Sequence, residues 1–191
     1  MTQLADKPSH NESSRLRHRI TVEEFEKAYF AGAFGQARLE LIEGVILEMS
    51  PMGDTHVAWL FRLNKQLLLT LGEVAEVGSQ VPISLGESDS QPEPDFVVVK
   101  LEDFQDRKIK ANEAALVIEV SDSTLEDDRG IKQKLYARNG LREYWIVNVK
   151  AKQLEVYRDP QGETFNTKFT LEVGKTCSPE AFPTRDVTWW A

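Results

Sequence analysis

Asp95 and Glu119 are the residues of this sequence whose type and setting could do chemistry. Asp95 follows Pro94 at the mouth of an apolar run, Phe96 to Val99, and Glu119 lies inside a second one, Leu116-Val117-Ile118-Glu119-Val120. Lys132 follows on a segment with helical spacing, four residues after Asp128. Two carboxylates on neighbouring strands with a lysine brought close are what a hydrolytic Mg²⁺ site needs. The carboxylates hold a hard, oxygen-preferring cation, and the lysine presents positive charge to an attacking water or a phosphate. If these residues converge, the expected chemistry is phosphodiester cleavage; if they do not, the chain is an α/β domain whose sequence does not name its task.

Each residue also has a plainer reading. Asp95 can be a turn residue at a strand start. Glu119 is harder to explain that way, because an unpaired carboxylate buried in an apolar strand costs several kcal/mol and calls for a cation, a partner or a proton. Glu40 shares a strand with Leu39, Leu41 and Ile42 but points away from the leucines. By position alone it is a solvent-facing residue of an edge hairpin. His56 falls in the first turn of a predicted helix, where a lone histidine is usually a tolerated polar residue. Tyr136 reads as core, its hydroxyl free to orient a carboxylate.

The choice of lysine follows from helix geometry, in which each residue turns about 100°. With Ile131 as the origin, Leu135 falls at about 40°, Lys132 at about 100° and Tyr136 at about 140°. Lys132 therefore belongs to the face that looks at a sheet, whereas Lys134, at about 300°, looks away. Paired only with Asp128, Lys132 would be a surface ion pair worth a few tenths of a kcal/mol.

The surrounding elements must position these groups. Thr21-Val22-Glu23-Glu24 is a capping box that predicts a helix from Val22 to Tyr29. Arg38 to Glu43 and Val45 to Met49 predict a hairpin turned at Glu43-Gly44. Asp54 or Thr55 caps a second helix with Val57, Leu60, Phe61, Leu67, Leu68 and Leu71 at helical spacing, ended by Gly72. Short strands are expected over Val74 to Val77 and Val81 to Leu85. The nearly continuous apolar runs predict central strands buried on both faces, with helices on both sides of the sheet. A third helix starts near Ser123 to Glu126 and stops at Asn139-Gly140; Tyr144 to Val149 and Leu154 to Tyr157 follow as strands. The expected class is α/β (α+β), one domain over residues 20–191 after a loose polar tail over 1–19.

Composition narrows the function classes. Among 191 residues, 41% are apolar, ordinary for a globular chain. No apolar run approaches the ~20 residues of a membrane span, and the N-terminus lacks a signal-peptide core. A single cysteine, Cys177, suits a reducing cytoplasm, the expected location. Three histidines, His10, His18 and His56, argue against a zinc site of the His/Cys type. The net charge of −8 argues against a protein that coats nucleic acid, but suits an acidic cluster awaiting its cation.

An ordered set of motifs carries a resemblance. It runs from Leu39-Glu40-Leu41-Ile42-Glu43-Gly44 through Ser50-Pro51, His56, Pro94-Asp95 and Glu119-Val120-Ser121. It continues with Asp128-Arg129-Gly130, Lys132, Leu135-Tyr136-Ala137 and Glu143-Tyr144-Trp145-Ile146-Val147. Each motif is weak, but in this order, over about Thr21 to Tyr157, the chain resembles the Uma2 (DUF820) family of restriction-endonuclease-like proteins. That resemblance implies the PD-(D/E)xK nuclease fold, a central mixed sheet flanked by helices. It makes Asp95 and Glu119 the metal-binding carboxylates and Glu40 a further acidic ligand. Lys132 becomes the catalytic lysine, Mg²⁺ or Mn²⁺ the cofactor, and nucleic acid, expected to be DNA, the partner. The superfamily's usual lysine would stand two residues after Glu119, where this chain has Ser121; the family resembled supplies it from the following helix. A homodimer is also expected, with the aromatic pair Trp189-Trp190 as contact area. Two rival readings are a catalytically inactive nuclease-fold binding or assembly module, and a structural ion cluster. In the ion cluster Glu119 and Lys132 pair directly and Lys132→Met is neutral or stabilising.

Overall fold

A computed structural model describes residues 18–189 of the chain. The tail expected over 1–19 falls outside these residues except for His18 and Arg19.

The capping box forms as the sequence predicts. Thr21 accepts the Glu24 backbone N–H, the Glu24 carboxylate accepts the Thr21 N–H, and α1 (Val22–Phe30) follows. Strands β1 (Leu39–Ile42) and β2 (Val45–Glu48) make the predicted hairpin, with Ile42 paired to Val45. Its two-residue turn needs positive φ at both central positions, and Glu43 and Gly44 adopt +50° and +73°. Next comes α2 (Asp54–Leu71), then β3 (Ala75–Ser79), β4 (Phe96–Lys100) and β5 (Leu116–Ser121). A helical crossover of three joined pieces follows: α3 (Leu125–Asp127), a π-helical turn (Asp128–Lys132) and α4 (Gln133–Arg138). It leads to β6 (Glu143–Asn148), β7 (Gln153–Gln161), β8 (Thr164–Glu172) and the short pair β9 (Thr176–Cys177) and β10 (Val187–Thr188).

Six strands form one mixed sheet in the order β3-β4-β5-β6-β7-β8. Only β5 and β6 run parallel, which is why a helical crossover joins them. Successive side chains of a strand point to opposite faces, so the apolar runs supply two cores at once. On one face Phe96, Val98, Leu116, Ile118, Val120, Trp145 and Val147 meet Trp59, Leu63, Leu67 and Leu71 of α2. On the other, Val97, Val99, Val117, Tyr144 and Ile146 meet Leu135, Tyr136 and Ala137 of α4 and Ile42 of the hairpin. Helices therefore cover both sides, as the unbroken apolar strands predict.

Four local expectations are corrected. The inward face of α2 is Trp59, Leu63, Leu67 and Leu71, while Phe61 and Leu68 are exposed. Gly53 stands at its N-cap without a side-chain bond, in place of Asp54 or Thr55. Val81 to Leu85 is no strand; Gln80 turns the chain at φ +54°, and only Ser84 bridges to Lys110. Trp189 adds no surface for a homodimer, since it is buried and stacks on Trp59 with ring centroids 5.1 Å apart. Trp190 lies outside the described residues.

The hairpin turn is doubly committed to glycine, because a Cβ at residue 44 would lie 2.6 Å from the Cβ of Arg19. Gly44→Ala is expected to lower stability by about 1–3 kcal/mol through the left-handed backbone alone, read as a fall in the urea midpoint at unchanged slope.

Candidate active site

Strand register brings Asp95 and Glu119 together. Phe96 pairs with Ile118 across the antiparallel β4–β5 ladder, so one step outward Asp95 stands opposite Glu119. Opposed residues of such a ladder share a face with Cβ atoms about 5 Å apart. That face is the one covered by the crossover. Asp95 Oδ2 accepts the Val120 N–H at 2.8 Å, and Asp95 Oδ1 lies 3.1 Å from His56 Nε2. His56 thus reaches the site from the first turn of α2. Glu119 is buried, and its Oε1 accepts from Lys132 Nζ at 3.1 Å and from the Tyr136 hydroxyl at 3.0 Å.

Glu40 is not the solvent-facing residue that its position suggests. Leu41 exchanges backbone hydrogen bonds with Gln91 in both directions, at 3.3 and 2.7 Å, which lays β1 over the segment leading into β4. Glu40 is buried beneath this contact, with Oε2 3.4 Å from Lys132 Nζ.

The crossover delivers the lysine. Its π-helical turn carries a five-residue hydrogen bond from the Gln133 N–H to the Asp128 carbonyl, which shifts the phase of the helix. Asp128, Lys132, Leu135 and Tyr136 then face the sheet, and Ile131, the origin of the helical wheel, is exposed. Lys132 is buried and Lys134 exposed, as the wheel expects, although the phase differs from that of a regular α-helix. Its ammonium lies 3.1 Å from Glu119, 3.4 Å from Glu40 and 3.9 Å from Asp128. Asp128, which the sequence offered only as a surface partner four residues away, is fully buried. Its Oδ2 accepts from Ser121 Oγ at 2.6 Å and Thr124 Oγ1 at 2.7 Å. The signal for it was its placement one turn before an inward lysine.

Four carboxylates thus share one ammonium and one imidazole. Burial pushes the Glu119 carboxyl well above its ordinary range; Lys132 offsets this in part, and the neighbouring Asp128, Asp95 and Glu40 add to it. Burial likewise raises Asp128. For Lys132, burial pulls the ammonium down but the charges of Glu119, Glu40 and Asp128 outweigh it, so its proton is held more firmly than in water. The bond to Asp95 raises His56.

The donor set fits a hard divalent cation in kind: carboxylate oxygens, with Glu40 Oε2 buried and lacking a hydrogen bond among the described residues. That oxygen is near the ammonium but outside hydrogen-bond direction. The donors are not gathered into a ready cage, since no three His, Cys, Asp or Glu side chains among the described residues stand as a ligand group. A cleft of about 310 Å³ opens over them, lined by Glu40, His56, Asp95, Glu119 and Lys132. A larger and mostly apolar cavity of about 620 Å³, between α1, β3 and residues 104–109, contains none of these groups. Cys177 is no competing nucleophile: burial pushes its thiol up to about 11.

The direct Glu119–Lys132 pair is the geometry a purely structural ion cluster would show. However, the ammonium also answers Glu40 and Asp128, so its removal leaves three buried carboxylates without a counter-charge. Lys132→Met is therefore expected to cost roughly 3–5 kcal/mol near neutral pH. A buried carboxyl with a raised folded pKa favours the folded state when protonated and loses that contribution as pH rises. The deficit of the variant should therefore shrink as pH falls toward 4, which urea unfolding at a series of pH values would record.

Comparisons with known proteins agree with this architecture. The chain has the fold of a crystal structure described as "a putative nuclease belonging to DUF820" from Anabaena variabilis, with a TM-score of 0.69 at 18% identity, covering 86% of this chain and 92% of that one. Among curated proteins none matches in sequence. The Uma2 family model, described as "Putative restriction endonuclease", matches residues 22–189, and the chain belongs to that family.

Proposed function

We propose that the protein is a metal-dependent nuclease that hydrolyses nucleic-acid phosphodiester bonds, with DNA the expected polymer. The observation that carries this reading is the meeting of Asp95, Glu119, Glu40 and Lys132 at one cleft, from four separate parts of the chain. Asp95 and Glu119, joined by Glu40, would hold Mg²⁺ or Mn²⁺. When bound, such a cation lowers the pKa of a water and offsets charge growing on the phosphoryl oxygens.

The chain's own residues supply the rest. The Val120 N–H and His56 fix both oxygens of Asp95, so that carboxylate is oriented before anything binds. Tyr136 holds one oxygen of Glu119, Oε1. Lys132 carries three N–H donors and spends one on Glu119. The others are free to steady an attacking water or a phosphate oxygen, and the ammonium remains protonated across the working range. Buried among carboxylates at short range, this charge acts with little solvent screening.

In a cleavage assay with Mn²⁺ and single-stranded, duplex and branched DNA, and RNA, Asp95→Asn, Glu119→Gln and Lys132→Ala should each lower turnover at least about 100-fold. Cleavage persisting in both Asp95→Asn and Lys132→Ala would assign the activity to a contaminant.

The second reading, an inactive nuclease-fold binding or assembly module, draws on the absence of a ready ligand group. Calorimetry separates the two. The nuclease reading expects Mn²⁺ to bind at millimolar concentration or below, more weakly as pH falls because protons compete for the same carboxylates. No heat of binding at millimolar Mn²⁺ would leave the module reading in place.

A further inference from the structure

We propose that Asp128 is a positioning residue for Lys132, holding the ammonium at the cleft while leaving it donors to use; this rests on the nuclease reading. Almost every polar atom of Asp128 is committed to holding Asp128 itself. Its N–H donates to the Thr124 carbonyl at 3.0 Å. Its carbonyl accepts from the Gln133 N–H within the π-helical turn and from the Tyr144 hydroxyl at 3.2 Å. Its Oδ2 takes the hydroxyls of Ser121 and Thr124. The next residue, Arg129, pins the turn from the other side through Glu155 at 2.5 Å.

One atom is left over. Asp128 Oδ1 is buried without a hydrogen bond among the described residues and stands 3.9 Å from Lys132 Nζ. At that separation a carboxylate attracts an ammonium but captures none of its N–H groups. A purely structural role does not account for a charge here. An uncharged acceptor would serve Ser121 and Thr124 equally well, and burying a carboxylate is costly. The anionic oxygen facing the lysine is what only aspartate supplies at this length. It draws Lys132 inward from its own helix, Glu119 and Glu40 draw it from the strands, and the ammonium stays between them with two N–H donors uncommitted. Ser121 belongs to this arrangement: its hydroxyl clamps the aspartate that aims the lysine from the helix.

A double-mutant cycle over Asp128→Asn and Lys132→Ala tests this in two readouts. In Mn²⁺-dependent cleavage, Asp128→Asn should lower kcat about 10- to 100-fold with KM and the Mn²⁺ affinity unchanged, and should add nothing in the Lys132→Ala background. In metal-free urea unfolding, the two substitutions should couple by at least about 5-fold in the folded-to-unfolded ratio. Equal loss of kcat from Asp128→Asn in both backgrounds, or additive unfolding effects, overturns the proposal. Should Asp128→Asn not fold, Ser121→Ala with Thr124→Val keeps the carboxylate but unclamps it, and the same fall in kcat at constant KM is expected; an unchanged kcat overturns the proposal. A wild-type protein that cleaves nothing while the unfolding coupling is present sinks the nuclease reading and leaves the positioning intact. Cleavage without coupling does the reverse.

Discussion

One ammonium surrounded by buried carboxylates governs this structure. Lys132 cannot be buried alone, nor can Glu119, Glu40 or Asp128, and each makes the others tolerable. Because the attraction falls with distance and the desolvation does not, the fold must bring three carboxylates from three segments to within about 4 Å of one nitrogen. The rigid parts of the molecule can be understood as the means to that end: a strand pair in register, a hairpin bound to the sheet by backbone hydrogen bonds, and a helix held at its π-helical turn by Tyr144 and by Arg129–Glu155.

The cluster is overdrawn in negative charge. One lysine and one histidine face four carboxylates, and the oxygens of Glu40 and Asp128 keep unfilled acceptor sites. An ordinary core would replace such a group with apolar residues at a gain in stability. Its retention beneath an open cleft is typical of sites whose groups serve a task other than holding the fold. The second buried acid of the same face, Glu155, makes the contrast. It is answered by Arg129, Tyr157, Asn148 and Lys168, which leave no such excess. Glu143, on the opposite face, is likewise met by Arg158, Trp145 and the Glu180 N–H.

Much of this was legible in the sequence where the signal was local. The apolar runs around Asp95 and Glu119 place both residues on central strands, and period-two alternation then fixes their face. The capping box at Thr21 and the turn at Glu43-Gly44 were legible for the same reason: each depends on residues within four positions. What failed depended on distant parts of the chain. Glu40 looked solvent-facing because nothing near it in sequence reveals that Leu41 bonds to Gln91. Phe61 and Leu68 looked inward on α2 because Trp59 meets its stacking partner only at Trp189. Lys132 was found although Ile131, the wheel's reference, is exposed; a fixed 100° step contains no π-helical turn. Asp128 looked like half of a weak surface pair, since its true partners, Ser121 and Tyr144, lie on two different strands.

The parallel pairing of β5 with β6 has a consequence for how the molecule comes into being. Lys132 travels on the connection between these strands, so its charge reaches Glu119 only once that connection has folded back across the sheet. Long-range closure of this kind is the slow part of building a sheet. The crossover that joins two parallel strands is therefore also the element that brings the counter-charge to Glu119.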